Sequence, residues 1–159
     1  MSEAPMEEFF RLIDDIRTCM LTTRDEGRLR SRPMGFSFDR GTHEFHLLTR
    51  KSSHKAEELA ANPGVNLAFA RPDRHEFVSV SGQAYLTTDH RLIEAVWTED
   101  ADAWFKGGKE DPEAAVIRVV PSLGEYWHGH NQLIRHWNLI RAKRAGEEPH
   151  LQENSQVTL

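Results

Sequence analysis

TCMLTTRDEGRLRSRPM, residues 18–34, places a turn signal between two β-compatible runs. Cys19 to Thr23 is short and apolar, and Asp25-Glu26-Gly27 supplies the residues a tight hairpin needs. Leu29 to Phe38 reads as the return strand, with Met34, Phe36 and Phe38 alternating against Gly35 and Ser37. Asp39 to Thr42 is a second turn, and Glu44 to Arg50 a further strand. Two consecutive hairpins make an antiparallel meander.

Outward from the meander, the period changes on both sides. Phe9, Phe10, Leu12, Ile13 and Ile16 follow helical spacing, which predicts an amphipathic helix from Met6 to Ile16. After Arg50, Ser52 or Ser53 can cap a short helix over Lys55 to Ala61, and Asn62-Pro63-Gly64 stops it. Val65, Leu67 and Phe69 alternate in a strand, and Glu76 to Thr87 forms a longer one. Gly82 inside that strand predicts a bulge or a close backbone approach. Asp89 caps a helix through Trp97, and Asp100 to Gly108 is irregular or helical. Ala114 to Val120 and Gly124 to Trp127 read as closing strands separated by Pro121. Six or seven antiparallel strands with short peripheral helices predict a mainly β (α+β) barrel.

Composition bounds the rest. The chain has 159 residues, 38% hydrophobic and 28% charged, enough for one cored domain. That domain is expected over residues 1–145, with a polar, mobile tail over 146–159. The lone Cys19 forbids an internal disulfide. The net charge of −5 argues against general affinity for nucleic acid or anionic lipid. No apolar run approaches the roughly 20 residues of a membrane helix. The acidic start, Met1 to Glu8, has no signal-peptide pattern, so a cytoplasmic protein is expected.

Two segments carry candidate chemistry. On a strand, Arg28, Arg30 and Arg32 share one face, and guanidinium forks suit phosphate oxygens. Alternatively, they form a solvated strand face. Thr49-Arg-Lys-Ser-Ser-His-Lys55 joins a strand end to a helix N-terminus, where free amides favour an anion. There Ser52, Ser53, His54, Lys55 and Thr49 add donors. The bland alternative is an ordinary serine cap followed by exposed basic residues. Adjacent strands could bring both segments to one phosphate. Neither GxxxxGK[ST] nor GxGxxG occurs, which excludes a P-loop and a Rossmann turn. Nine histidines include the pairs His43/His46 and His128/His130, but no cysteine or carboxylate pattern completes a zinc site. They are read as surface histidines, and no metal is expected. Cys19 reads as core.

Four segments in order resemble the FMN-binding split β-barrel family, in the general-stress-protein branch of the pyridoxamine phosphate oxidase-like proteins. They are TCMLTTRDEGRLRSRPM, FHLLTRKSSHKAEELAANPGVNLAFA, FVSVSGQA and AWFKGGKEDPEAAVIRVVPSLGEYW. The resemblance implies a homodimer with FMN at the subunit interface. It puts the phosphate on Arg32, His54 and Lys55, with Ser53 beside them and Thr49 near the ribityl chain or phosphate. Backbone at Pro33, Met34 and Leu48 would run along the flavin ring. Trp104 and Lys106, from a second copy, and Trp127 are further ring contacts that it implies.

One departure bears on activity. In the true oxidases an Arg-x-His pair follows the Glu-Phe/Tyr-Trp motif and holds substrate. Here Glu125-Tyr-Trp127 is followed by HGHNQLIRHW, and the corresponding positions are Leu133 and Arg135. Pyridoxamine phosphate oxidation is therefore not expected, and Asn131 to Arg144 reads as a helix particular to this branch. The expected function is flavin-dependent oxidoreduction on an unknown small molecule. The alternatives are a flavin-binding stress or sensor protein without turnover, or a split barrel that uses deazaflavin or haem.

Overall fold

The computed structural model describes residues 3–129 and 152–159. The chain runs α1 (Glu3–Asp15), β1 (Thr18–Asp25), β2 (Arg28–Gly35), β3 (Ser37–Asp39), β4 (Glu44–Arg50) and α2 (His54–Ala61). It continues as β5 (Gly64–Arg71), β6 (Glu76–Thr87), α3 (His90–Val96), α4 (Glu99–Trp104), β7 (Ala114–Gly129) and β8 (Gln152–Val157). The strands form one sheet in the order β2-β1-β5-β6-β7-β4-β3, with β8 added alongside β7. The pairings are antiparallel throughout.

This is the expected split barrel, with eight strands among the described residues where six or seven are expected. The hydrogen-bond ladder is open, because its two ends, β2 and β3, do not pair. They are consecutive in the chain and joined only by Phe36, so the chain itself links the two edges of the rolled sheet. Phe36 packs edge-on against Phe69, at 5.0 Å between ring centroids, and tilted against Phe45. The strand expected over Leu29 to Phe38 breaks at this residue. The alternation of Met34, Phe36 and Phe38 continues through the break, so periodicity does not reveal it.

Cys19, Leu21, Phe45, Leu47, Leu67, Phe69, Val78, Val80, Ile117 and Val119 fill the barrel. Helix α1 adds Phe9, Leu12 and Ile13 to that core, as its spacing predicts. A smaller core of Ile93, Ala101, Phe105, Ala114 and Val116 joins α3 and α4 to the start of β7. Asp89 caps α3 by accepting from the Arg91 amide at 3.0 Å.

The two closing strands are one continuous strand, β7. Pro121 does not end it, because it lies opposite Gly82, where the β6–β7 register shifts between Ser81 and Gly82. The irregularity accommodates a residue with no amide hydrogen to give. The mobile tail expected over 146–159 contains β8, and Val157 is buried in the main core. The alternation of polar and small residues there hid a strand that docks by backbone pairing. The helix expected over Asn131 to Arg144 lies outside the described residues.

Candidate functional site

The β1–β2 hairpin turns at Glu26-Gly27, both with positive φ (47° and 84°), which glycine tolerates readily at the second position. Its register sets the direction of the arginines. Arg30 lies opposite Thr23, Arg32 opposite Leu21 and Met34 opposite Cys19. Directly opposed residues share a face, and Cys19, Leu21 and Thr23 are buried. The β2 side chains of Arg30, Arg32 and Met34 therefore turn inward. Arg28 stands at the hairpin end, exposed.

Helix α2 lies against this face of β1. Its entry is held by Glu113, whose backbone carbonyl accepts from the Lys51 amide at 2.8 Å. The Glu113 carboxylate accepts from the Ser52 hydroxyl and amide. Ser53 is the N-cap, but its side chain does not cap the helix amides. Instead its hydroxyl lies 3.3 Å from that of buried Thr49. The first turn of α2 thus meets Thr49, Ser53 and Lys55 with no side-chain oxygen covering its N–H groups.

Glu58 lies three residues after Lys55 and four after His54, on the same helix face. Its side chain is 1% exposed. Oε2 accepts from Arg32 Nη1 and Nη2, each at 2.9 Å, and from the Thr23 hydroxyl. Oε1 accepts from Arg30 Nη1 at 3.1 Å. Burial alone would raise the Glu58 carboxyl, but the hydrogen bonds from Thr23 and Arg32 hold it below the usual carboxylate range.

Lys55 is half-buried and has no hydrogen-bond or ion-pair partner among the described residues. Its ammonium is pushed down, first by burial and then by the neighbouring Arg32. His54 engages carboxylates instead. Its Nε2 lies 3.2 Å from Asp25 and 3.4 Å from Glu58, and its Nδ1 lies 3.3 Å from Glu57. The hydrogen bond with Asp25 raises His54 and lowers Asp25.

Arg30, Arg32 and Lys55 therefore face Asp25 and Glu58: three cations against two carboxylates, before His54 and exposed Glu57 are added. The cation without an ion-pair partner among the described residues is Lys55, which stands with the Glu58-paired Arg32 beside a helix N-terminus that the Ser53 side chain does not cap. Such a donor set fits a phosphate.

The structure brings Arg32, Thr49, Ser53, His54 and Lys55 into one neighbourhood, although His54 engages carboxylates. Pro33 is on the exposed face of β2, and Met34 packs against the core. The Leu48 side chain packs against the second core, next to Val116. Trp104 ends α4 with the residue 70% exposed, and its carbonyl accepts from Arg50. Lys106 is exposed just beyond it. Trp127 stands apart. It is twelve residues along β7 from Ala115, the partner of Thr49, or up to about 40 Å of extended strand.

Sequence reasoning missed Glu58, Asp25 and Thr23. The available signal was the helical spacing of Lys55 to Glu58 beneath an arginine-bearing strand. It also misplaced His46, read as a surface histidine. His46 is buried and lies 3.2 Å from Glu44, which is itself held below the usual carboxylate range mainly by Arg118. Cys19 is buried as expected, and burial pushes its thiol up to about 12.

Among the described residues one group has ligand atoms spaced for a metal: Asp25, His54 and Glu58, all within 4.8 Å of one another. The Arg30 guanidinium lies 3.1 Å from both carboxylates, so a cation already serves that position. No helix among the described residues is long and apolar enough to cross a membrane.

Residues 4–150 match the family described as pyridoxamine 5′-phosphate oxidase-like, so the chain belongs to that family. General stress protein 26 of Bacillus subtilis is 29% identical over 113 residues, covering 69% of this chain and 79% of that one. A Jannaschia structure, provisionally described as a general stress protein 26, is 25% identical with a TM-score of 0.75. The match covers 99% of this chain and 100% of that one. A Xanthomonas citri structure described as a general stress FMN/FAD binding protein is 25% identical, with a TM-score of 0.71 over 82% of this chain and 93% of that one.

Proposed function

We propose that this member of the pyridoxamine 5′-phosphate oxidase-like family binds FMN and serves as a flavin-dependent oxidoreductase on a small molecule. The observation that carries the reading is the half-buried, unpaired Lys55 beside Arg32 at the N-terminus of α2. Two cations held together at a half-buried site favour a phosphate between them. Thr49 and Ser53 add hydroxyl donors, and His54 adds charge at the rim. A phosphate ending in a planar ring fits the description of the Xanthomonas citri relative as FMN/FAD binding.

The ring is assigned to the backbone at Pro33, Met34 and Leu48. A second copy closes over it with Trp104 and Lys106. Exposed Leu29, Tyr85 and Val120 border a cleft of about 760 Å³ on the outer sheet face and offer apolar surface to that copy. When bound, FMN supplies the electron-carrying chemistry, and the chain's own residues hold and orient it. Turnover then needs no nucleophilic side chain, and buried Cys19 is none. By sequence position Leu133 and Arg135 fall where the oxidases carry their substrate pair, which argues against pyridoxamine phosphate as the substrate.

The test is the absorption spectrum of the purified protein. Flavin bands, with FMN released on denaturation, agree with the proposal. A Soret band or a deazaflavin spectrum contradicts it. Oxidation of a reduced nicotinamide by the yellow protein then separates an enzyme from a binder.

A further inference from the structure

We propose that Glu58 is a positioning residue for the phosphate site, holding the Arg32 guanidinium in place through a buried carboxylate that Thr23 and Arg30 complete. The proposal rests on the phosphate reading above and assigns a role to a residue that reading does not use.

The geometry argues for it in three steps. First, both carboxylate oxygens of Glu58 are engaged. Oε2 takes Arg32 twice and the Thr23 hydroxyl, and Oε1 takes Arg30. A carboxylate with its lone pairs occupied and its side chain 1% exposed has no second place to go. Second, Arg32 is fixed at both ends. Its backbone is paired with Leu21, and its head is tied to Glu58 and, through Nη2, to Thr23 Oγ1 at 3.0 Å. Its Nε–H has no hydrogen-bond partner among the described residues. The clamp thus leaves donor capacity on the guanidinium while removing its freedom to swing. Third, Glu58 sits on the same helix turn as Lys55. One residue therefore ties the strand that carries one cation to the helix that carries the other.

A free arginine side chain would lose its rotamer freedom when phosphate binds, and a clamped one has already lost it. Arg30 lies between Glu58 and Asp25 and keeps the buried carboxylate from carrying net negative charge towards the ligand. A simple counterion would instead compete with the phosphate for Arg32, and its removal would tighten binding. The two roles predict opposite signs.

The experiment titrates apoprotein with FMN and, separately, with riboflavin, for wild type, E58Q, R32A and the double variant. Positioning predicts that E58Q loses about tenfold in FMN affinity with riboflavin unchanged. It also predicts that E58Q/R32A is no weaker than R32A alone, because the two residues act through one contact. An unchanged or tighter FMN affinity in E58Q, with R32A still selectively weak for FMN, overturns the positioning role and leaves the phosphate site standing. Equal losses for both ligands in R32A overturn the phosphate reading itself, and the positioning role with it. Equal losses for both ligands in E58Q alone mark Glu58 as structural and overturn the proposal. If E58Q does not fold, T23V carries the test, since it removes the hydroxyl shared by Glu58 and Arg32. A selective FMN loss of about threefold in T23V supports the clamp, and no selective loss overturns it.

Discussion

Arg32 and Glu58 meet through both terminal guanidinium nitrogens, each 2.9 Å from the same carboxylate oxygen, across the gap between a strand and a helix. The contact joins residues 26 positions apart and fixes how α2 presents its first turn to β2. A buried ion pair of this kind is weak evidence for stability, because desolvation offsets much of its attraction. What it secures is placement: Lys55 is brought beside Arg32, and among the described residues it makes no ion pair.

The His54–Asp25 pair gives a pH dependence whose sign follows from the two shifts. His54 is raised above 6.5 by its hydrogen bond with Asp25, so its contribution is complete below about 6.5 and fades as pH rises through the folded value. Asp25 is lowered from 3.8 by His54 and then Arg30, so its share is complete above about 3.8 and is lost as pH falls through its folded value. His54→Asn should therefore melt below wild type at pH 5.5, and the difference should shrink as pH rises through the folded His54 value. Thermal melts across that range, with a constant difference at every pH, would contradict the pairing.

Gly82 sits where the strand register shifts. A Cβ there would lie 2.3 Å from the Val120 carbonyl oxygen and 2.8 Å from the Pro121 Cα, both backbone atoms that cannot rotate away. Gly82→Ala should cost about 1–3 kcal/mol or more. Urea unfolding gives the number, and a variant as stable as wild type would show that the bulge is not tight.

Cys19 offers a probe of the barrel interior. With its thiol pushed up to about 12 by burial, it should resist alkylation at pH 8 in the native protein and react fully in denaturant. Rapid labelling of the folded chain would place Cys19 outside the core.

The proposed second copy predicts a mass of two chains in light scattering. Because FMN would be shared between copies, dilution should release flavin and monomer together, and added FMN should oppose both. A monomer that keeps stoichiometric FMN at low concentration would refute the shared site.

The sequence was readable where one residue decides a local structure. Glu26-Gly27 predicted the hairpin, Asp89 the cap and Gly82 the irregularity, and each depends on local backbone chemistry. It was misleading where a distant partner decides. Pro121 looks like a strand end until Gly82 stands opposite it, and Phe36 breaks a strand only because the sheet curls back on itself. Gln152–Val157 looks like a tail until β7 pairs with it. The basic residues of the site were visible as basic residues. Glu58 was not, because a glutamate in a helix reads as solvated until an arginine from another element is placed on it.

The central claim, that Arg32 and Lys55 hold a flavin phosphate, is tested most directly by titrating apoprotein variants with FMN and with riboflavin, which lacks only the phosphate. A charge-assisted hydrogen bond contributes about 1.5–3 kcal/mol, or about 10- to 150-fold in affinity. Arg32→Ala and Lys55→Ala should each lose that much for FMN and little for riboflavin. Equal losses for the two ligands would contradict the account.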